Sequence, residues 1–186
     1  YSQKFCPNPE NILRVLRYIR PEDVRVIMVA QDPYPNLRDA TGIAFHSEAQ
    51  KCPQSARKIN ENLIYWKHLD PKYVNNSNYM KYVEQGVLLI NRSLTTREGS
   101  PGEHVSNWGQ TTELLLSTIP ANTVSVLLGR DAQSLRSYLK SKKFVEHVHP
   151  AARQGVTFKS KDVFGEVNKA LIDLKRDPID WNLRLN

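Results

Sequence analysis

The chain has 186 residues, of which 40% are apolar and 24% charged, with a formal net charge of +7. That is the length and make-up of one soluble globular domain with a substantial core. No apolar run approaches the roughly 20 residues of a membrane span, and the two cysteines, Cys6 and Cys52, lack zinc-site spacing, so a membrane protein and a zinc protein are both set aside.

In chain order, Glu10 to Arg20 sets Ile12, Leu13, Leu16 and Ile19 at helical spacing, and Pro21 stops the predicted helix. Val24 to Ala30 is β-branched and almost wholly apolar, which predicts a buried strand. Asp32 to Phe45 carries two prolines, Asn36, Asp39 and Gly42, and reads as a loop. Gln54 to His68 predicts a helix, and Tyr79 to Gln85 a short one ended by Gly86. The second strand is Val87 to Ile90, followed by a loop at Gly99-Ser100-Pro101-Gly102. Asn107 is the expected cap of a helix to Ile119, with Leu114, Leu115 and Ile119 on its apolar face. The third strand spans Thr123 to Leu128, and Asp131 is the expected cap of a helix to Lys140. The fourth strand, Phe144 to Val148, alternates apolar and polar residues as a half-exposed edge does. A last helix is predicted near Lys161 to Leu174, with Val163, Phe164, Val167, Leu171 and Leu174 on one face. This alternation predicts an α/β fold, a three-layer α/β/α sandwich around a central four-stranded parallel sheet, in one domain over residues 1–186.

Each strand runs into a polar signature: Gln31-Asp32-Pro33-Tyr34-Pro35, Asn91, Gly129-Arg130-Asp131 and His149-Pro150. In a parallel sheet all four gather at the carboxyl edge, where open α/β sheets bind ligands. The positive charge favours an anionic partner, most commonly nucleic acid, against the plainer reading of a merely basic protein. No signal-peptide pattern opens the chain, so the protein is expected to be soluble and intracellular, with free thiols.

Taken singly, the signatures say little. An isolated Asp-Pro is ordinarily a turn, a strand-end Asn is as often structural as functional, and an isolated Phe or His is ordinarily part of a core or a surface. Their order and spacing say more. Gln31-Asp32-Pro33-Tyr34, Gly42-Ile43-Ala44-Phe45, Leu88-Leu89-Ile90-Asn91 and His149-Pro150 together resemble the family-1 uracil-DNA glycosylases. The likeness extends to Pro53-Gln54-Ser55, Trp108, Gly129 and the ending Asp177-Pro178-Ile179-Asp180-Trp181.

The resemblance implies excision of uracil from DNA after the base is flipped out of the helix. Asp32 would orient the attacking water and stabilise a cationic sugar. His149 would donate to uracil O2, with a neutral imidazole favoured over a charged one. Gln31, Tyr34, Phe45 and Asn91 would form the uracil pocket. Tyr34 would exclude the thymine methyl, Phe45 would stack on the base, and the Asn91 amide would pair with O4 and N3–H. Pro33, Ser55, Gly129, Arg130, Pro150, Ala151 and Arg153 would contact DNA. The resemblance implies no cofactor and no metal, and no lysine stands at a motif position to form a Schiff base.

The chain also departs from the common family pattern. Pro35 stands where a His is usual, Arg130 where a Ser is usual, and His149-Pro150-Ala151-Ala152-Arg153 replaces the common His-Pro-Ser-Pro-Leu. These forms resemble the poxvirus glycosylases, while Gln31 is closer to the cellular pattern. A replication-protein partner follows only if the chain is virus-like. The alternative from another class is a DNA-binding scaffold with little catalysis, which the intact Asp32, Asn91 and His149 argue against.

Overall fold

The computed structural model describes residues 4–152 and 155–182. Along the chain, strands β1 (Phe5–Cys6), β2 (Val26–Ala30), β3 (Val87–Asn91), β4 (Thr96–Arg97), β5 (Val124–Leu128) and β6 (Lys143–His147) are interleaved with helices. These are α1 (Gln54–Tyr65), α2 (Met80–Glu84), α3 (Val105–Ser117), α4 (Arg130–Gln133) and α5 (Val163–Asp173). The four long strands form one parallel sheet in the order β3-β2-β5-β6, with helices flanking it, as expected. All residues of β2, β3 and β5 are buried, which is why these strands read as mainly apolar runs. On β6 only Val145 is buried, as its alternating sequence predicts for an edge. The outer edge of β3 is covered too, because the Ala44 N–H donates to the Leu89 carbonyl at 3.2 Å.

Register aligns the strand ends. Ala30 pairs with Asn91 across β2 and β3, and Leu128 pairs with His147 across β5 and β6. The residues just beyond these pairs are therefore delivered to one edge. A second, two-stranded antiparallel ribbon pairs β1 with β4, joining Cys6 to Thr96. The chain's ending packs inward: Ile179 and Trp181 are buried, Trp181 lies edge-on to Phe164, and its carbonyl accepts from the Tyr82 hydroxyl at 2.7 Å. α5 carries the predicted apolar face, and the Asp162 side chain caps it through the Gly165 N–H. Cys6 and Cys52 are unpaired, and no helix among the described residues is long and apolar enough to cross a membrane.

Three predicted helices differ. Residues 10–20 form two short 3-10 turns, Pro9–Asn11 and Arg14–Arg17, instead of an α-helix. There the backbone of Gly42 presses against the Asn11 carbonyl so closely that a Cβ on Gly42 would sit 1.7 Å from that oxygen. Leu13 and Leu16 are left exposed, and Val15 and Ile19 face the core. α3 begins two residues before Asn107, because Thr95 ties down its first turn through His104 Nδ1 at 3.0 Å and Trp108 Nε1 at 2.7 Å. Its buried face is Thr112 and Leu116, while Leu114 is 71% exposed. Thr112 is buried without penalty because its hydroxyl donates to the Arg92 carbonyl at 2.7 Å. α4 is capped by Gly129, not Asp131, and ends at Gln133, with a separate 3-10 turn at Arg136–Tyr138.

Candidate active site

A pocket of about 460 Å³ opens at the carboxyl edge of the sheet, a size ordinary for a small-ligand site. Gln31, Asp32, Pro33, Tyr34, Phe45, Ser55, Asn91, His149 and Ala151 all line it. β2 delivers the first four, β3 delivers Asn91, and the segment after β6 delivers His149 and Ala151. The loop after β2 and the first turn of α1 supply Phe45 and Ser55.

Asp32 is half-buried. Burial pushes its carboxyl above the ordinary range, opposed by the hydrogen bond from the Gly102 amide, while the Asp131 charge adds to the rise. The Gly102 N–H donates to Asp32 Oδ2. That loop is held against the Asp32 turn, since the Gly99 N–H donates to the Pro35 carbonyl at 2.8 Å and the Thr96 hydroxyl to the Ser100 carbonyl at 2.9 Å.

His149 is held from the other side. The Ala151 N–H donates to His149 Nδ1 at 3.1 Å, so that nitrogen carries a lone pair and Nε2 carries the proton of the neutral ring. Burial lowers its pKa, against a smaller opposing pull from Asp131, and this keeps the ring neutral. Gly129 packs behind it. At φ +90°, a Cβ there would lie 3.0 Å from His149 Cβ, so only glycine permits this approach. His147 does not line the pocket. It ends β6, with Nε2 3.2 Å from the Phe158 carbonyl. The strand's alternation stops at His147, and so His149 does not share its direction.

Asn91 is buried, and its Oδ1 has no hydrogen-bond partner among the described residues. An unpartnered buried acceptor costs about 1–3 kcal/mol unless something fills it. Phe45 is buried at φ +62°, left-handed for an aromatic residue, with its ring centroid 6.2 Å from that of His149. The Tyr34 hydroxyl lies 3.1 Å from the Phe45 carbonyl and 3.0 Å from Ser55 Oγ, and burial raises its pKa.

Other sequence-predicted contacts lie outside the pocket. Gly129 and exposed Arg130 stand at the head of α4, and buried Pro150 lines a smaller neighbouring cavity of about 220 Å³. Arg153 lies outside the described residues. Sequence reasoning passed over Gly102 and Thr96, whose only signal was a Gly/Pro-rich loop after the second strand. It also passed over Asp131 as an electrostatic neighbour of both Asp32 and His149.

A uracil-DNA glycosylase of Tropheryma whipplei is 36% identical over 192 aligned positions, covering 98% of this chain and 82% of that protein. The chain belongs to the uracil-DNA glycosylase family. A second glycosylase of the family, from Mycobacteroides abscessus, is 35% identical, with 96% of this chain and 81% of its own length aligned. The fold of the mimivirus uracil-DNA glycosylase superposes with a TM-score of 0.86 at 24% identity, covering 97% of this chain and 76% of that one. A variant of the mimivirus protein, solved in complex with UGI, gives the same TM-score at 25% identity, covering 98% and 78%. No family model matches the chain.

Proposed function

We propose that this glycosylase hydrolyses the N-glycosidic bond of deoxyuridine in DNA, releasing uracil and leaving an abasic site. The observation that carries the reading is the unpartnered, buried Asn91 Oδ1 in a pocket shared with Asp32 and His149. Uracil offers N3–H to that oxygen and O4 to the amide nitrogen beside it. Cytosine carries an acceptor at N3 and a donor at C4, so it opposes a fixed Asn91 at both positions.

The flipped base lies against Phe45, and Tyr34 fills the space a thymine methyl would need. As the glycosidic bond breaks, its electron pair moves into the base and negative charge gathers at O2. His149 Nε2–H is the donor for that oxygen, with Nδ1 already committed to the Ala151 amide. Positive charge develops on the sugar. Asp32, with one oxygen held by Gly102, keeps the other for that charge and for the attacking water. Water supplies the new hydroxyl at the sugar carbon, and its proton completes the departing uracil.

Ser55, Ala151, Pro150, Gly129, Arg130 and Arg153 are the candidates for seating the DNA strand around the pocket, with Pro33 beneath it. Arg153 is also the candidate wedge for the space that the base vacates, because a long stem and a flat guanidinium can stack there. A replication-protein role rests on no motif of this chain. The test is release of free uracil from a uracil-containing oligonucleotide, with matched thymine and cytosine oligonucleotides as controls. Binding of the oligonucleotide without release of uracil would favour the scaffold reading.

A further inference from the structure

Phe45 owes its place in the pocket to a backbone conformation that an aromatic residue rarely adopts. Such a conformation persists only when its surroundings hold it. Part of the hold is local. The His46 N–H donates to the Ile43 carbonyl at 3.2 Å, and the Thr41 hydroxyl donates to the His46 carbonyl at 3.2 Å. Another part reaches beyond the loop, through the side chain of the residue that follows Phe45.

His46 is 1% exposed. The Tyr79 N–H donates to His46 Nδ1 at 3.0 Å. A backbone amide nitrogen only donates, so Nδ1 carries the lone pair and Nε2 the proton. Tyr79 is itself anchored. It stands at the head of α2, and its buried hydroxyl lies 3.0 Å from the Ala56 carbonyl and 2.8 Å from Asn60 Oδ1, both on α1. On the other side, His46 Nε2 lies 3.5 Å from Glu48 Oε1, and Glu48 pairs with Arg14 at 2.6 Å. The ring thus joins the Phe45 turn to α2 and, through Glu48, to the 3-10 turn Arg14–Arg17. The groups that face it are Glu48 from its own loop, Arg14 from that turn, and the neutral Ser77 and the Tyr79 amide from the segment leading into α2. Burial lowers the His46 pKa, partly offset by Glu48. A second proton would set N–H against N–H between Nδ1 and Tyr79.

We propose that His46 is a positioning residue for the base platform: as a neutral ring protonated on Nε2 it ties the Phe45 turn to the head of α2, and a second proton on the ring releases that turn. This rests on the excision reading above, in which Phe45 receives the base.

The experiment compares the native protein with His46→Asn and His46→Leu. Asn sets an acceptor oxygen where Nδ1 stands and cannot gain a proton. Leu fills the space and leaves the Tyr79 N–H without an acceptor. Direct binding of free uracil reports the pocket alone, affinity for uracil-free single-stranded DNA reports the rest of the surface, and thermal melts report folding. At neutral pH, His46→Leu is expected to weaken uracil binding roughly tenfold, the effect of one buried N–H left unsatisfied, with uracil-free DNA affinity unchanged. His46→Asn restores uracil binding. As the pH falls below the ordinary histidine range, the native protein should lose uracil affinity more steeply than His46→Asn. Asp32, Glu48 and His149 are the same in both proteins, so the difference belongs to position 46. The proposal is overturned if His46→Leu binds uracil as the native protein does, if it loses uracil and DNA affinity in equal measure, or if native and His46→Asn lose uracil affinity in parallel on acidification. If His46→Leu does not fold, the pH comparison with His46→Asn decides alone. Failure of the native protein to excise uracil from DNA, with free uracil still bound, would instead sink the excision reading.

Discussion

Asp32→Asn isolates charge from shape. The amide is nearly isosteric with the carboxylate, and its oxygen can still accept from the Gly102 amide, so the loop over the site is retained. What disappears is a negative charge facing a cationic sugar. For a half-buried group, two unit charges about 4 Å apart at an effective dielectric of about 20 interact by about 4 kcal/mol. That corresponds to roughly a thousandfold loss in the chemical step. Stability should move the other way. Burial raises the folded-state pKa of Asp32 above its unfolded value, so the folded state holds that proton more tightly. Folding stability contributed by this group therefore falls as pH rises from the ordinary carboxylate pKa through the raised one. At neutral pH the full cost of the buried charge is present, and Asp32→Asn should melt no lower than the native chain. The difference should shrink once the pH drops below the ordinary carboxylate range. Single-turnover excision and paired thermal melts at neutral and acid pH measure both effects. An excision rate within tenfold of native would remove the electrostatic role, and a lower melting temperature at neutral pH would contradict the burial argument.

Gly129→Ala should displace His149, because the added methyl meets its Cβ at 3.0 Å and φ is +90°; excision should fall at least tenfold while uracil-free DNA still binds. Tyr34→Ala should admit thymine, and Asn91→Asp should admit cytosine, as read by product analysis on oligonucleotides carrying each base. If both variants release uracil alone, the pocket assignment fails. The acid limb of the excision profile should lie above the ordinary carboxylate range, because burial raises the Asp32 pKa; a limb within the ordinary range would remove Asp32 as the group that sets it. Arg153→Ala should impair excision from a U:A duplex far more than from single strands, since an unstacked base needs no wedge; equal losses would indicate a phosphate contact.

The strands were legible because burial on both faces leaves an unbroken apolar run, as in Val26 to Ala30. The convergence of Asp32, Asn91 and His149 followed from parallel pairing alone. What sequence could not carry was tertiary accommodation. The apolar spacing of residues 12–19 predicts a helix, yet the chain there yields to the close approach of Gly42. Thr112 looks polar until the Arg92 carbonyl that satisfies it is in place, and so Leu114 was assigned the buried face in error.

The matched register of β2 with β3, and of β5 with β6, also bears on how such a site can diversify. A slip of one residue moves a strand end by about 3.3 Å and turns its side chains to the other face. Asp32, Asn91 and His149 sit within two residues of those ends, so these strands tolerate changes of side chain but not of length. The connections beyond these residues carry no such restriction. Change in what surrounds the pocket, including how a DNA strand is gripped, is therefore open to insertion and deletion in the segments beyond Asn91 and beyond Ala151, while the reacting groups keep their spacing.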